Sequence, residues 1–161
     1  MATRFVLTPL SAEFPSSNYP QLTLSNRRPV LAFDTTTSET CYWTVVVPQG
    51  WTGTLTAVIS YAMASATSGG VAFDMALEAI TSGDATDTDA TTSFDTVNTG
   101  TDAGVPATAG YMEQISITLT NSDSAAAADL LRISLARATS NGTDTASGDA
   151  YVLAVEIRDG A

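Results

Sequence analysis

Apolar and polar side chains alternate with a period of two along most of this chain. Residues 40–47 set Cys41, Trp43, Val45 and Val47 against Tyr42, Thr44 and Val46. Residues 53–63 set Leu55, Ala57, Ile59, Tyr61 and Met63 against Thr54, Thr56 and Ser60. Residues 71–80 turn Val71, Phe73, Met75 and Leu77 one way and Asp74 and Glu78 the other. The same alternation runs through 111–120 (Ile115, Ile117, Leu119), 130–138 (Leu131, Ile133, Leu135, opposite Arg132, Ser134 and Ala136) and 150–158 (Tyr151, Leu153, Val155, Ile157). Such a pattern predicts strands with one buried and one wet face. Helix is nearly absent from the pattern: the run Ala125–Ala128 is flanked by Asn, Ser and Asp and reads as a loop.

Residues 1–33 differ from the rest. Pro9, Pro15, Pro20 and Pro29 block helix and favour extended backbone, so this stretch is expected to be an extended arm with short strands at 21–25 and 29–34. An arm of this kind either packs on its own domain or reaches a neighbour, and in the second case removal of residues 1–28 should leave a folded body. Residues 34–161 then form the main domain. With the arm, some eight strands emerge, and two packed antiparallel sheets solve their burial problem. The expected fold is all-β: an antiparallel β-sandwich, jelly-roll-like, with an extended N-terminal arm. One connection, 81–110, is long and rich in Thr, Asp, Ala and Gly. Loops of that length without structure are uncommon, so it is either functional or contains a short edge strand near 91–97.

Composition narrows the partners. The 161 residues hold 17 Asp and Glu against six Arg, with no Lys and no His, for a net charge of −11. That surface repels phosphates and anionic lipid heads, so neither nucleic acid nor membrane is an expected partner. The excess acid serves solubility or adaptation to a saline habitat, where added ions screen it. Charge is also unevenly placed: residues 1–33 carry Arg4, Arg27 and Arg28 against Glu13, whereas from Asp34 onward three Arg face sixteen acids. A mildly basic arm beside an acidic body suits an acidic neighbour. Cys41 is the only cysteine and falls in an alternating apolar run, which reads as a small buried hydrophobe. No apolar stretch is long enough for a membrane helix, and the start lacks a secretory pattern, so synthesis in a cytoplasm is expected.

Candidate chemistry is sparse. Ser and Thr abound, but no His or Lys is present to activate them, and no phosphate-binding loop ends in Lys. No catalytic residues are expected and the chain reads as a non-enzyme. Asp84, Asp87 and Asp89 cluster carboxylates that suit calcium, although their spacing departs from the usual calcium loop and a solvated acidic loop is the alternative. Beyond a calcium ion there, no cofactor is expected. Trp51, in a turn after Pro48-Gln49-Gly50, has three open roles: capping the sandwich, entering a subunit interface, or stacking on a sugar. Arg137, on an otherwise apolar face, is expected to pair with a carboxylate at the rim or in a subunit contact.

The segments Trp43-Thr-Val-Val-Val-Pro-Gln-Gly-Trp51, Gly69-Gly-Val-Ala-Phe73, Asp129-Leu-Leu-Arg-Ile-Ser-Leu-Ala-Arg137 and Tyr151-Val-Leu-Ala-Val-Glu-Ile-Arg158 resemble a pattern in structural proteins of tailed viruses of bacteria or archaea. The resemblance covers about residues 40–158. It implies a jelly-roll virion protein, often trimeric, that decorates or cements the outer capsid surface. On that basis the expected partners are the major capsid protein and further copies of the chain as a homotrimer, with Arg4, Phe5, Arg27, Arg28, Trp51 and Arg137 as contact residues. The alternative is a receptor- or glycan-binding domain of a tail fibre or spike.

Overall fold

Among the described residues, the alternating segments and several shorter stretches form ten strands in two antiparallel sheets, together with one 3₁₀ turn at Pro9–Ser11. The computed structural model describes residues 1–89 and 92–160. The strands are β1 (Ala2–Leu7), β2 (Gln21–Ser25), β3 (Arg28–Phe33), β4 (Thr40–Val46), β5 (Leu55–Met63), β6 (Val71–Ile80), β7 (Asn98–Asp102), β8 (Met112–Leu119), β9 (Leu130–Arg137) and β10 (Ala150–Asp159). The larger sheet runs β2-β3-β10-β5-β8, with β1 also paired to β10; the smaller runs β4-β9-β6-β7. Counted from β3, the first, eighth, third and sixth strands share one sheet, and the second, seventh, fourth and fifth share the other. That order is the double Greek-key wrap of a jelly roll.

The inward faces interdigitate as the alternation predicts. Trp43, Tyr61, Phe33, Phe73, Met75, Leu77 and Ile117 are among the largest fully buried side chains. Phe73 meets Phe33 edge-on at 5.7 Å and Tyr61 at 6.2 Å, tying the two sheets together at their centre. Trp43 is in the core, and its indole N–H donates to the Thr8 carbonyl at 3.0 Å, so the one polar atom of this ring is satisfied. Burying each such side chain contributes about 1.5–3 kcal/mol. Cys41 is buried as well, and desolvation pushes its thiol far above the ordinary cysteine range.

Four features settle or alter what the alternation left open. The first 33 residues pack on their own domain. Here β1 runs along β10 from Ala2↔Asp159 to Leu7↔Val155, β2 and β3 form a hairpin, and β3 pairs with the start of β10. Removing residues 1–28 therefore strips two strands and the buried Leu7 from the larger sheet rather than a separable tail. Secondly, the short strand inside the long connection lies at Asn98–Asp102, beyond the expected 91–97, of which Thr91 falls outside the described residues. Its inward positions are Asn98 and Gly100, invisible to a hydrophobic pattern.

Thirdly, β10 changes phase. Its register with β5 slips between Val152 and Ala154, so Val152, Val155 and Ile157 point inward, while Tyr151 and Leu153 are only half-buried. Finally, Glu78 faces outward from β6 as expected but is 3% exposed, because the chain following β6 folds back over it.

Candidate functional site: a cleft on the outer face of the smaller sheet

The long connection after β6 creates the site by crossing the outer face of β4, β9 and β6. Its return segment is fastened by the Asp95 N–H to the Leu77 carbonyl at 2.9 Å and by the Ser93 N–H to Glu78 Oε1 at 2.6 Å. Phe94, between them, is thereby pressed against Tyr42 of β4, with ring centroids 5.7 Å apart and planes 24° from parallel. On the neighbouring strand β9, Arg132 sits with its guanidinium carbon 4.9 Å from the Tyr42 centroid and 5.8 Å from that of Phe94. Register explains the meeting: Arg132 lies opposite Thr44 of β4 on one side and Glu78 of β6 on the other.

The wall on the β4 side comes from outside the sheet. Glu13 exchanges two main-chain hydrogen bonds with Tyr42, at 2.8 and 2.9 Å, extending the edge of β4 by a single residue. Its carboxylate accepts from the Thr44 hydroxyl at 3.2 Å. Glu13, Thr44, Glu78, Ile80, Leu130 and Arg132, together with Thr88, enclose a cleft of about 290 Å³. Two carboxylates and one guanidinium thus face an opening that also has two aliphatic walls. Among the described residues the ion pairs formed by arginines involve Arg4, Arg137 and Arg158, so Arg132 is held by two aromatic faces rather than by a carboxylate.

The residues singled out from the sequence are dispersed. Arg4, Phe5 and Trp51 do meet, at the end of β1: Phe5 and Trp51 stack at 6.5 Å and 13°, while Arg4 pairs with Asp159 and donates to the Gly50 carbonyl at 3.1 Å. Trp51 is half-buried against the core, which is the capping arrangement. Arg27 and Arg28 are exposed on the β2–β3 hairpin, away from that group. Arg137 pairs with a carboxylate as expected, Asp144, but the pair is internal, and the expected subunit contact is corrected. Arg137 is fully buried, with Nε and Nη2 on Asp144 at 2.9–3.2 Å and further bonds to the carbonyls of Phe33, Ala146 and Gly148. Its donors are used internally, so the side chain is not offered to a neighbour.

Asp84, Asp87 and Asp89 are exposed and serve local turns: Asp84 accepts from the Thr81 N–H at 2.9 Å and Asp87 from the Asp89 N–H at 3.0 Å. Among the described residues no three acidic or thiol side chains converge on a point that could hold a metal ion. The residues of the cleft were not grouped by the sequence reading. Arg132 stood out only as a polar residue opposite the apolar face of its strand, and Phe94 lies in a connection that the pattern describes only as polar.

No protein-family model matches this chain, and no curated protein matches it. Among solved structures, it is similar to the carbohydrate-binding module CBM35 from Cellvibrio japonicus Abf62, with a TM-score of 0.51 and 11% sequence identity over 98% of this chain and 94% of that one. The likeness carries no link to virus particles. At this identity it shows the fold, and the chain is a jelly-roll-like antiparallel β-sandwich.

Proposed function

We propose that this chain is a non-catalytic carbohydrate-binding module that takes a saccharide into the cleft beside Arg132. The observation that carries the reading is the clamping of Arg132 over Tyr42 and Phe94, with Glu13 and Glu78 facing the same opening. Sugar hydroxyls both donate and accept. Two carboxylates offer acceptors, the guanidinium offers forked donors, and Ile80 and Leu130 suit the C–H faces of a pyranose. A cleft of about 290 Å³ matches one or two sugar units at its mouth. The fold is that of a solved carbohydrate-binding module, which is consistent with binding as the whole task.

A glycan array followed by titration calorimetry tests this. One or more saccharides should bind, and Arg132→Ala should weaken them about 10–100-fold, the worth of a charge-assisted hydrogen bond. No cleavage product should form. Absence of any bound glycan, or unchanged affinity in the variant, overturns the reading.

A second reading, attachment to the outer surface of a virus capsid, is favoured by a different observation. An apolar groove of about 480 Å³ opens on the opposite side of the molecule, lined by Thr8, Pro9, Leu10, Arg28, Pro29 and Leu153, with Leu10 71% exposed at its lip. Exposed Arg27 and Arg28 give this region the charge that an acidic shell protein would meet. Co-sedimentation with capsids should fail for the paired change Leu10→Asp and Arg28→Glu. Undiminished attachment would remove this reading.

A further inference from the structure

We infer that two copies of this chain join through β2, edge to edge, so that their larger sheets become one continuous sheet across a twofold axis. The strand β2 ends the order β2-β3-β10-β5-β8, so one side of it has no partner strand among the described residues. Its hairpin with β3 turns through Asn26 and Arg27, both with positive φ (46° and 69°), the signature of a two-residue turn of the mirror-image type. Such a turn makes the flanking pair Ser25 and Arg28 hydrogen-bonded, and the pairs alternate from there. Gln21, Thr23 and Ser25 thus bond to β3, whereas the N–H and C=O groups of Leu22 and Leu24 point away from the sheet. Pro29, opposite Leu24, agrees with this phase, since it has no N–H to give.

Among the described residues, this edge strand itself holds no charge, no proline and no bulge. Sheet edges are usually protected by charge, proline or a bulge. β8, the opposite edge, carries Glu113, and the edge of β4 is covered by Glu13. From Phe14 to Asn26, in contrast, the chain has no charged residue, although its net charge is −11. Large apolar side chains are exposed in the same stretch: Phe14, Tyr19, Leu22 (46%) and Leu24 (68%).

The occupant that fits is a second copy. Two such acidic molecules repel over most of their surface, and least at this uncharged strand. The sequence Gln-Leu-Thr-Leu-Ser is also complementary to itself when antiparallel. A twofold axis at Thr23 sets Leu22 opposite Leu24 of the second copy and Leu24 opposite its Leu22. Both pairs have outward main-chain groups, so each closes two hydrogen bonds, and no charge lies opposite another. The symmetry is isologous and gives a dimer, unlike the threefold that the virion resemblance implies.

Sedimentation velocity over a dilution series tests this. The chain should sediment as a species of twice 16.6 kDa that dissociates on dilution. The paired change Leu22→Lys and Leu24→Lys should abolish the dimer while leaving the circular dichroism spectrum and melting temperature of the monomer intact. Hydrogen exchange on the unaltered chain gives an independent readout: the Leu22 and Leu24 amides should be protected only in the dimer, and the Thr23 amide in both states. A monomer at every concentration, a trimer, or a dimer whose Leu22 and Leu24 amides exchange freely would overturn the proposal.

Discussion

Arg137 and Asp144 form an ion pair, at 2.9 Å, with both side chains withdrawn from water. The pair closes the end of the sandwich: Arg137 points inward from β9 opposite Phe73, and Asp144 also accepts the Ala72 N–H at 3.0 Å. Removing one partner leaves the other charge buried and several carbonyls without donors. Arg137→Ala should therefore destabilise the fold by about 3–5 kcal/mol, read as a lowered urea midpoint. Arg137→Lys should recover little, because one ammonium cannot reproduce the forked contacts. A loss under about 1 kcal/mol would show that the pair is dispensable.

At Gly100 the two sheets approach closely. A Cβ at this position would lie 2.8 Å from Ile115 Cγ2 and closer still to Ile117 Cγ1. Gly100→Ala should cost about 1–3 kcal/mol by overpacking, and the further change Ile117→Val should restore part of it. Thermal melting of the single and double variants checks the coupling; independent, additive losses would contradict it.

Cys41 should be inert to thiol reagents in the native state. Its side chain is fully buried, and burial raises the thiol well above its ordinary range. Labelling by iodoacetamide should follow the rate of global unfolding and accelerate with denaturant. Rapid labelling under native conditions would mean that β4 opens locally.

Acid should weaken the fold over a defined window. Three donors from Thr36 and Thr37 hold Asp34 down from 3.8 to about 2, and Arg4 holds Asp159 down from 3.8 to about 2. Depressed carboxylates stabilise the folded state above their unfolded value, and that contribution fades as pH falls through about 2. Glu39, raised mainly by burial, acts in the opposite sense and softens the loss. The melting temperature should fall between about pH 4 and pH 2, and Asp159→Asn should flatten this limb. A variant with an unchanged acid limb would exclude Asp159 as a source.

The strands were legible wherever alternation was clean. β2 and β6 begin and end where the pattern places them, and Trp43 and Cys41 are buried as their face requires. The misses share a physical cause, which is that the deciding partner lies far along the chain. β1 has one buried residue, Leu7, and exists because β10 offers a free side. β7 is inward-facing through Asn98 and Gly100, which fit because Ile115 and Ile117 fill the space and the Asn121 carbonyl takes the Asn98 amide at 2.8 Å. The cleft was hidden for the same reason. Its pieces come from position 13, from β4, β6 and β9, and from a connection whose course no local pattern encodes.

The place of β10 has a kinetic consequence. It comes last in the order of the described strands, yet it lies inside the larger sheet, with β5 on one side and both β1 and β3 on the other. Until it docks, β1 has nothing to pair with, and neither β3 nor β5 can reach the neighbour between them. Closure must therefore wait for loops that span most of the polypeptide, an entropic delay that local β-hairpin formation cannot shorten. A chain lacking residues from Ala150 onward would carry an open seam through its larger sheet.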